Sequence, residues 1–431
     1  MHGTVHRLNL SRCRLSGACN KLGFIPRTHS RGQPVACFST LPFQSRPSCS
    51  TRIPGHASTS LLPFSSRSLR ISARQNSPTC DPFDEDENTS LLEQDKPDFG
   101  NYQILLPQEP FIFGVNHIKR RSVPKKIARP PNYPQDGEEV DPDADLPDAG
   151  ASRVLIPLGG EEERKIRASC KLAAETLRFA GSLVKPGVAT VAIDDAVHKF
   201  IVKRGAYPSP LGYGGFPKAC CTSVNNVAVH GIPDKRPLQP EDIVKIDITV
   251  YLDGYHGDTC RSFVVCDLDV DEPGHALVAA SEAALAAGIE ACGPGKPFRG
   301  IGKSIYNTVV KGKDLSPSIS PDPRWRSYGP YCVSDAFSGH GIGTEFHRPP
   351  WIYHSLNEEP GTMAPGDVFT IEPVVIQGSD PSTWIFPDGW TASTENCARA
   401  AQAEHTVLIT EDGVEVLTRL DDSAEDWRGV F

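Results

Sequence analysis

The sequence predicts an α+β protein in which helices cover one face of an antiparallel sheet. Three observations support this class: apolar residues recur at helical spacing in four segments, strand-like runs follow each pair of these segments, and this order occurs twice. The helical segments are 160–184, 189–204, 272–292 and 298–312, and the strand-like runs are 243–252, 255–266, 367–377 and 404–417. The repeated order predicts two similar halves.

The first two helices have defined apolar faces and boundaries. In the first, Ile166, Leu172 and Leu177 fall on one face. The second, ATVAIDDAVHKFIVKR, is expected to use Thr190 as its cap and to stop before Gly205. A loop rich in glycine and proline follows, so these helices precede the first part of the predicted sheet.

The ends of the chain differ in composition from this globular part. Residues 1–80 contain eleven Lys and Arg and no Asp or Glu, so this segment is +11 although the whole chain of 431 residues is −9. Such a basic, Ser-rich leader is typical of an organellar transit peptide, and a disordered tail is the alternative. Residues 81–153 lack the periodicity of a packed element, which predicts a disordered or surface-hugging extension rich in proline and acids. We therefore expect the folded domain at 154–420 and a C-terminal tail at 421–431.

Two acids lie in a predicted hairpin, KIDITVYLDGYHGDTC at 245–260. Asp253-Gly254 favours a two-residue turn, which pairs residues whose numbers sum to 507. Asp247 and Asp258 then share one face as diagonal neighbours roughly 7–8 Å apart, a spacing that suits carboxylates converging on metal ions. The alternative is a turn acid and a solvent-facing acid. The isoleucines on both sides of Asp247 favour burial, where a carboxylate needs a cation or hydrogen-bond donors.

Three further candidates lie downstream. His340 is in the glycine-rich SGHGIG, Glu372 is inside the apolar run VFTIEPVV, and Glu404 opens the strand-like AEHTVLIT. Taken singly, each has the alternative of a surface or core residue without function. Together with Asp247 and Asp258 they give four carboxylates and one imidazole, whose charge balances two divalent ions. Such ligands suit Mn²⁺, Fe²⁺, Co²⁺ or Zn²⁺ and do not choose among them.

Ordered motifs over residues 160–418 resemble the type I methionine aminopeptidases, and within them the mitochondrial or plastid branch. The motifs are YPSPLGYGGFPKACCTSVNNVAVHGIPDKRPL at 207–238, DIVKIDITVYLDGYHGDTC at 242–260, GHGIG at 339–343, FTIEP at 369–373 and EHTVLIT at 404–410. The resemblance implies removal of the N-terminal methionine when the second residue is small. It also implies the pita-bread fold: two similar halves, with helices packed on a curved antiparallel sheet around a central dinuclear metal site.

The resemblance also implies roles for individual residues. The metal ligands would be Asp247, Asp258, His340, Glu372 and Glu404, holding two divalent ions (Co, Mn, Fe or Zn). The catalytic residues would be His230, His347 and Glu372, with the two histidines contacting the substrate and Glu372 carrying a proton. The methionine pocket would be lined by Tyr213, Phe216, Cys221, Phe346 and Trp390; the alternative is that the aromatic residues among them only fill the core.

Two alternatives to this activity stay open. One is an Xaa-Pro aminopeptidase or prolidase, and the other is a non-catalytic binding paralogue of the same fold. The loop containing HGIP resembles methionine aminopeptidases specifically, and all five ligand positions are filled. The separations from His340 to Glu372 and from Glu372 to Glu404 are both 32 residues, which leaves no room for the large insert of type II enzymes.

The expected partners are nascent polypeptides with an N-terminal methionine. Contact with the ribosome is left open, because the part after residue 80 is acidic and shows no basic stripe. Neither nucleic acid nor a membrane is an expected partner, and we expect a monomer. The leader predicts the mitochondrial matrix, with a plastid as the alternative, or the cytoplasm if the leader is not a transit peptide.

Overall fold

A computed structural model describes residues 99–138, 146, 148, 150–265, 271–312 and 323–420. The predicted transit peptide 1–80 and the predicted tail 421–431 lie outside the described residues, as do residues 81–98 of the predicted extension.

The four predicted helices are present with small changes at their ends. Helices α1 to α4 span Glu161–Gly181, Thr190–Lys203, Glu272–Glu290 and Arg299–Val309. Two short 3₁₀ helices span Tyr213–Gly215 and Pro323–Tyr328. The helical periodicity therefore predicted each element correctly.

The start of α2 differs from the prediction. Ala189, not Thr190, occupies the N-cap position, and no side chain caps this end. Thr190 is the first helical residue, and its hydroxyl accepts a hydrogen bond of 2.9 Å from the Asp234 N–H instead. The expected cap is wrong because a tertiary partner binds the hydroxyl. The predicted stop is confirmed, since α2 ends at Lys203 and Gly205 follows with φ of +79°.

The strands form four antiparallel sheets in the described residues. Strands β1 to β15 are Tyr207–Pro208, Cys221–Val224, Val227–Val229, Asp242–Leu252, Tyr255–Val265, Tyr331–Val333, Ser338–Gly341, Arg348–Tyr353, Val368–Ile371, Val374–Gln377, Thr383–Ile385, Ala392–Thr394, Ala400–Gln402, His405–Ile409 and Val414–Val416. The sheet orders are β1-β4-β2 with β5 beside β4, β13-β10-β6, β11-β12-β3, and β15-β14-β9-β7-β8. Every strand pair in the described part of the chain is antiparallel, which confirms the predicted fold class.

The second half of the sheet is more divided than the apolar runs predict. The run 367–377 forms β9 and β10, which belong to different sheets. Glu372 and Pro373 lie in the gap between them, so the expectation that Glu372 is inside a strand is wrong. Proline has no N–H to donate, and the strand ladder therefore ends at this point.

Helices and metal-ligand candidates occupy opposite faces of the first sheet. Ile246 and Ile248 are fully buried in a core that also contains Leu177 of α1 and Val197 of α2. Because side chains alternate along a strand, Asp247 points away from these helices. A second core, around α3 and α4, similarly lies behind β9 and β10. The two halves therefore turn their inner faces toward a common centre.

Residues 99–138 follow the surface of the domain. The main chain of Leu105 exchanges two hydrogen bonds with the Asn226 side chain, of 2.7 and 2.8 Å. Further along, Val123, Ile127 and Tyr133 are buried in an aromatic cluster of the domain. This segment thus contributes side chains to the interior of the fold.

Candidate metal centre

The β4–β5 hairpin brings the first two acids together. Its register pairs Asp247 with Cys260 and Thr249 with Asp258, as the two-residue turn predicted. Asp253 and Gly254 both have positive φ, of 50° and 90°, which is the conformation that such a turn requires. The prediction that the two carboxylates share one face is therefore confirmed.

Glu404 joins this pair from the other half of the domain. It lies just before β14, and its N–H donates a 2.9 Å hydrogen bond to the Cys260 carbonyl on β5. The Thr259 hydroxyl in turn donates to the Glu404 carbonyl at 2.9 Å. With the main chain fixed on both sides, carboxylate oxygens of Asp247, Asp258 and Glu404 lie within 4.8 Å of one another.

His340 and Glu372 face the same cluster. The His340 Nδ1 atom lies 3.2 Å from the Gly341 carbonyl; because a carbonyl only accepts, Nδ1 carries the proton and Nε2 has a lone pair. His340 Nε2 is 3.6 Å from Glu372 Oε1 and 3.8 Å from Asp258 Oδ2. These distances are too long for hydrogen bonds, but they suit neighbouring ligands of an ion about 2.0–2.2 Å from each.

Three threonines orient these ligands. The Thr249 hydroxyl donates to Asp258 Oδ1 and the Thr370 hydroxyl donates to Glu372 Oε1, both at 2.8 Å. The Thr406 hydroxyl donates to the Asp258 carbonyl at 2.7 Å. These threonines were not among the predicted site residues, although strand alternation gives a signal for one of them: Thr249 lies opposite Asp258 in the predicted hairpin.

Burial and mutual repulsion disfavour the charged forms of the carboxylates. Burial, followed by the charge of Asp247, raises the pKa of Asp258 to about 7. Burial, followed by the charge of Asp258, raises the pKa of Glu372 to about 8. Burial also raises the pKa of Asp247 and raises that of Glu404 well above its ordinary value. A bound cation would reverse these shifts.

Two buried carboxylate oxygens indicate that a metal ion fits this site. Asp247 Oδ1 and Glu404 Oε1 are buried and have no hydrogen-bond partner in the structure. A buried carboxylate oxygen without a donor is costly unless it binds a cation. The donor set of four carboxylates and one imidazole nitrogen therefore fits divalent metal ions.

The two predicted catalytic histidines border different parts of the site. The ring of His347 lies 4.2 Å from that of His340, measured between centroids, which places it beside the carboxylates. His230 has an unusual positive φ of 58° and lies 6.2 Å from Trp390, again between ring centroids. Gly231 follows it where a Cβ would come within 2.3 Å of the Thr222 carbonyl oxygen. This tight passage fixes the main chain that carries His230.

The five predicted pocket residues belong to one buried cluster. Its members include Tyr213, Phe216, Cys221, Phe346 and Trp390. The Tyr213 and Phe346 rings are 5.0 Å apart, and the Phe216 and Trp390 rings are 5.2 Å apart. Cys221 is paired with Asp247 across β2 and β4, so the cluster adjoins the metal-ligand candidates.

Two residues of the predicted extension reach this region, and neither was among the predicted site residues. Leu146 packs against the aromatic cluster. Asp148 accepts a 3.0 Å hydrogen bond from the His347 N–H through Oδ2. The surrounding stretch DPDADLPDAG is acidic and has no periodicity, so it carries no local signal for either contact.

Comparison with known proteins gives a consistent family match. The model of Metallopeptidase family M24 matches residues 164–411, which include all five metal-ligand candidates. The chain is 49% identical over 301 residues to the Arabidopsis thaliana protein named methionine aminopeptidase 1B, chloroplastic, covering 70% of this chain and 73% of that protein. It is 42% identical over 303 residues to the Homo sapiens protein named methionine aminopeptidase 1D, mitochondrial, covering 70% and 81%.

A solved structure shows the same fold. The crystal structure of methionine aminopeptidase from Rickettsia prowazekii is similar with a TM-score of 0.55 and 38% sequence identity. The match covers 62% of this chain and 100% of the other chain. The residues of this chain outside the match therefore flank the common fold or are inserted into it.

Proposed function

This chain belongs to Metallopeptidase family M24, and we infer from that premise that it is a type I methionine aminopeptidase of the organellar branch, a hydrolase with the pita-bread fold. It removes the N-terminal methionine from polypeptides. The observation that carries this conclusion is the 42–49% identity to methionine aminopeptidases, over about three quarters or more of their length. Restriction to substrates with a small second residue is part of the proposal.

Family membership implies divalent metal binding, and we propose two ions per chain. Asp247 would hold one ion, His340 and Glu372 would hold the other, and Asp258 and Glu404 would be shared. The unpartnered oxygens of Asp247 and Glu404 support this arrangement. Cobalt, manganese, iron or zinc would fit the same donors. Bound ions supply Lewis acidity and a water of lowered pKa.

The chain's own residues would position the substrate and move the proton. The proposed donors to the substrate amide and its developing oxyanion are His230 and His347, a contribution of about 3–4 kcal/mol for a well-placed donor. Glu372 would take a proton from the attacking water and return it to the leaving amine. The aromatic cluster that contains Tyr213 and Trp390 would hold the methionine side chain, whose flexible thioether suits aromatic surroundings.

The compartment is proposed from the relatives and the leader. The relatives are named chloroplastic or mitochondrial, which supports an organelle. We propose residues 1–80 as a transit peptide and the mitochondrial matrix as the destination; a plastid is the alternative. Among the described residues, helices long and apolar enough to cross a bilayer are absent. A monomeric enzyme that meets nascent chains, with or without ribosome contact, completes the proposal.

The activity is tested with peptides that differ at one position. We expect methionine release from Met-Ala-Ser with added Mn²⁺ or Co²⁺ and its loss with EDTA. Met-Leu-Ser, whose second residue is large, should be cleaved at least about 100-fold more slowly, because a misplaced scissile bond costs about that factor. An Xaa-Pro peptide is the control for a prolidase-like activity. Release of no methionine with any of the four metals would instead support the non-catalytic paralogue.

The number of ions is tested separately from activity. Isothermal titration of the metal-free protein with Mn²⁺ or Co²⁺ should reach two ions per chain. The Glu372→Gln and His340→Ala variants should lose one of the two binding events while Asp247→Asn loses the other, since they are assigned to different ions. One event in the wild-type protein, or equal loss in all three variants, would contradict the two-ion arrangement.

A further inference from the structure

The loop that carries His347 is anchored from outside the predicted domain. Residues 342–347 connect β7 and β8, and they include both Phe346 of the aromatic cluster and His347. Asp148 accepts a hydrogen bond from the His347 N–H at 3.0 Å. The Asp148 carboxylate thus binds the main chain of this loop at His347.

The same carboxylate and a tyrosine both lie beside the His347 ring. The Tyr213 hydroxyl lies 2.7 Å from His347 Nδ1, and burial followed by the nearby charge of Asp148 raises the pKa of that hydroxyl. Asp148 Oδ2 is itself 3.9 Å from that nitrogen. The Asp148 side chain is only 12% exposed, so these bonds are shielded from water. The ring orientation of His347 therefore depends on both Tyr213 and Asp148.

Leu146 lies on the other side of the aromatic cluster. A Cβ added at Gly214 would meet Leu146 Cδ2 at 2.6 Å and the Trp390 ring at 3.3 Å. Leu146 and Trp390 therefore flank the same glycine, and Leu146 is packed against the cluster without being part of its fully buried core. Asp148 thus contacts the loop that carries His347, and Leu146, two positions earlier, contacts the aromatic cluster.

We propose that Asp148 and Leu146 complete the substrate site: Asp148 is a positioning residue for His347, and Leu146 forms a wall of the methionine pocket. This rests on the proposed function. Asp148 would then align His347 for the transition state, and Leu146 would determine which substrate side chain fits the pocket. The two residues should consequently affect different kinetic constants.

Steady-state kinetics on Met-Ala-Ser test the proposal, with all variants made in the full chain. Asp148→Ala should lower kcat by about 10- to 100-fold, the usual effect of a displaced catalytic group, with a smaller change in KM. Asp148→Asn should recover most of kcat, because its amide oxygen still accepts the hydrogen bond from the His347 N–H. Leu146→Ala should raise KM and the Kd for free methionine about 10-fold, with kcat within about twofold, as expected for lost uniform binding.

Matched controls come from the same extension. Asp136→Ala removes an acid whose side chain is 45% exposed and paired with Arg129, and Leu106→Ala removes a leucine that is 60% exposed. Both should match the wild type. Metal content and the thermal unfolding midpoint are measured for every variant. If Asp148→Ala unfolds, Asp148→Glu provides the same test, because it keeps the charge but moves the carboxylate, and kcat should fall.

The outcomes separate this inference from the proposed function. An inactive wild-type protein would overturn the proposed function and the inference with it. An active wild type with unchanged kcat in Asp148→Ala and unchanged KM in Leu146→Ala would overturn the inference alone. A higher kcat/KM in Leu146→Ala would also overturn it, since Leu146 would then obstruct the pocket. A fall in kcat that follows metal loss in Asp148→Ala would assign Asp148 to metal retention, against the proposal.

Discussion

Asp258→Asn is expected to lower kcat for methionine release by about 10³-fold or more, because metal ions supply several kcal/mol of transition-state stabilisation and each 1.36 kcal/mol is a factor of ten. The substitution keeps the shape of the side chain and an acceptor for the Thr249 hydroxyl, which now binds Oδ1 at 2.8 Å. It removes one of the four negative charges that face the proposed ions. We expect metal titration to show fewer than two ions, with an unchanged far-ultraviolet circular dichroism spectrum.

The matched control is Asp253→Asn at the tip of the same hairpin. Asp253 has φ of 50°, a conformation that asparagine tolerates, and its side chain lies at the exposed turn. Wild-type kinetics are expected for this variant. The metal assignment fails if Asp258→Asn releases methionine at the wild-type rate with manganese, cobalt, iron and zinc alike.

The position of these two acids was predictable because local chemistry determines it. Asp253-Gly254 selects a two-residue turn, and the turn length then fixes the register of every later pair in the hairpin. One more residue in the loop would have moved Asp258 to the opposite face of the sheet, which packs against the helices. Four helices were predictable for a similar reason, since the 3.6-residue periodicity reports an apolar face within a single segment.

The surroundings of Glu372 and Glu404 were not predictable to the same extent. Both acids lie in gaps between strands: β9 and β10 for the first, β13 and β14 for the second. An apolar run shows that a segment is buried, but not where it leaves one sheet and enters another. Non-local pairing decides that point, as β9 pairs with β14 and β10 with β13.

The contribution of the extension illustrates a second limit. Leu146 and Asp148 lie in an acidic, proline-rich stretch whose composition predicts no packed element. Their contacts with the aromatic cluster and with His347 join parts of the chain that are far apart in the sequence. Tertiary contacts of this kind leave no periodic pattern in the sequence, so a domain boundary drawn from periodicity excludes residues that reach the site.

The metal-free protein is expected to lose stability as the pH rises from 6.5 to 8.0. The folded-state pKa values of Asp258 and Glu372, about 7 and about 8, lie above those of the unfolded chain. The stability that such groups contribute is fully present below the unfolded pKa and is lost as the pH rises through the folded pKa. Ionisation of Glu372 alone should therefore lower the free energy of unfolding by on the order of 2 kcal/mol over this pH range, or the unfolding midpoint by roughly 5 °C.

The pH range is chosen to separate these carboxylates from other buried groups. Burial lowers the pKa of His256, His354 and His405 to about 3 each, so these groups affect stability below the ordinary histidine value near 6.5. Burial also lowers the pKa of Lys245 to about 7, and above this value its effect has the opposite sign. The pH dependence of wild-type stability is thus a sum of opposing contributions, and measuring the wild type by itself does not separate them.

Glu372→Gln isolates one carboxylate from this sum. It keeps the side-chain size and an acceptor for the Thr370 hydroxyl, but it cannot ionise. Urea unfolding of both proteins in EDTA at pH 6.5 and 8.0 should show the wild type losing about 2 kcal/mol more than the variant. Saturating Mn²⁺ should reverse the wild-type trend, because metal binding requires deprotonated ligands and releases protons. Equal pH dependence in the two proteins would show that Glu372 is ionised without a cation, which would remove the electrostatic argument for its role as a ligand.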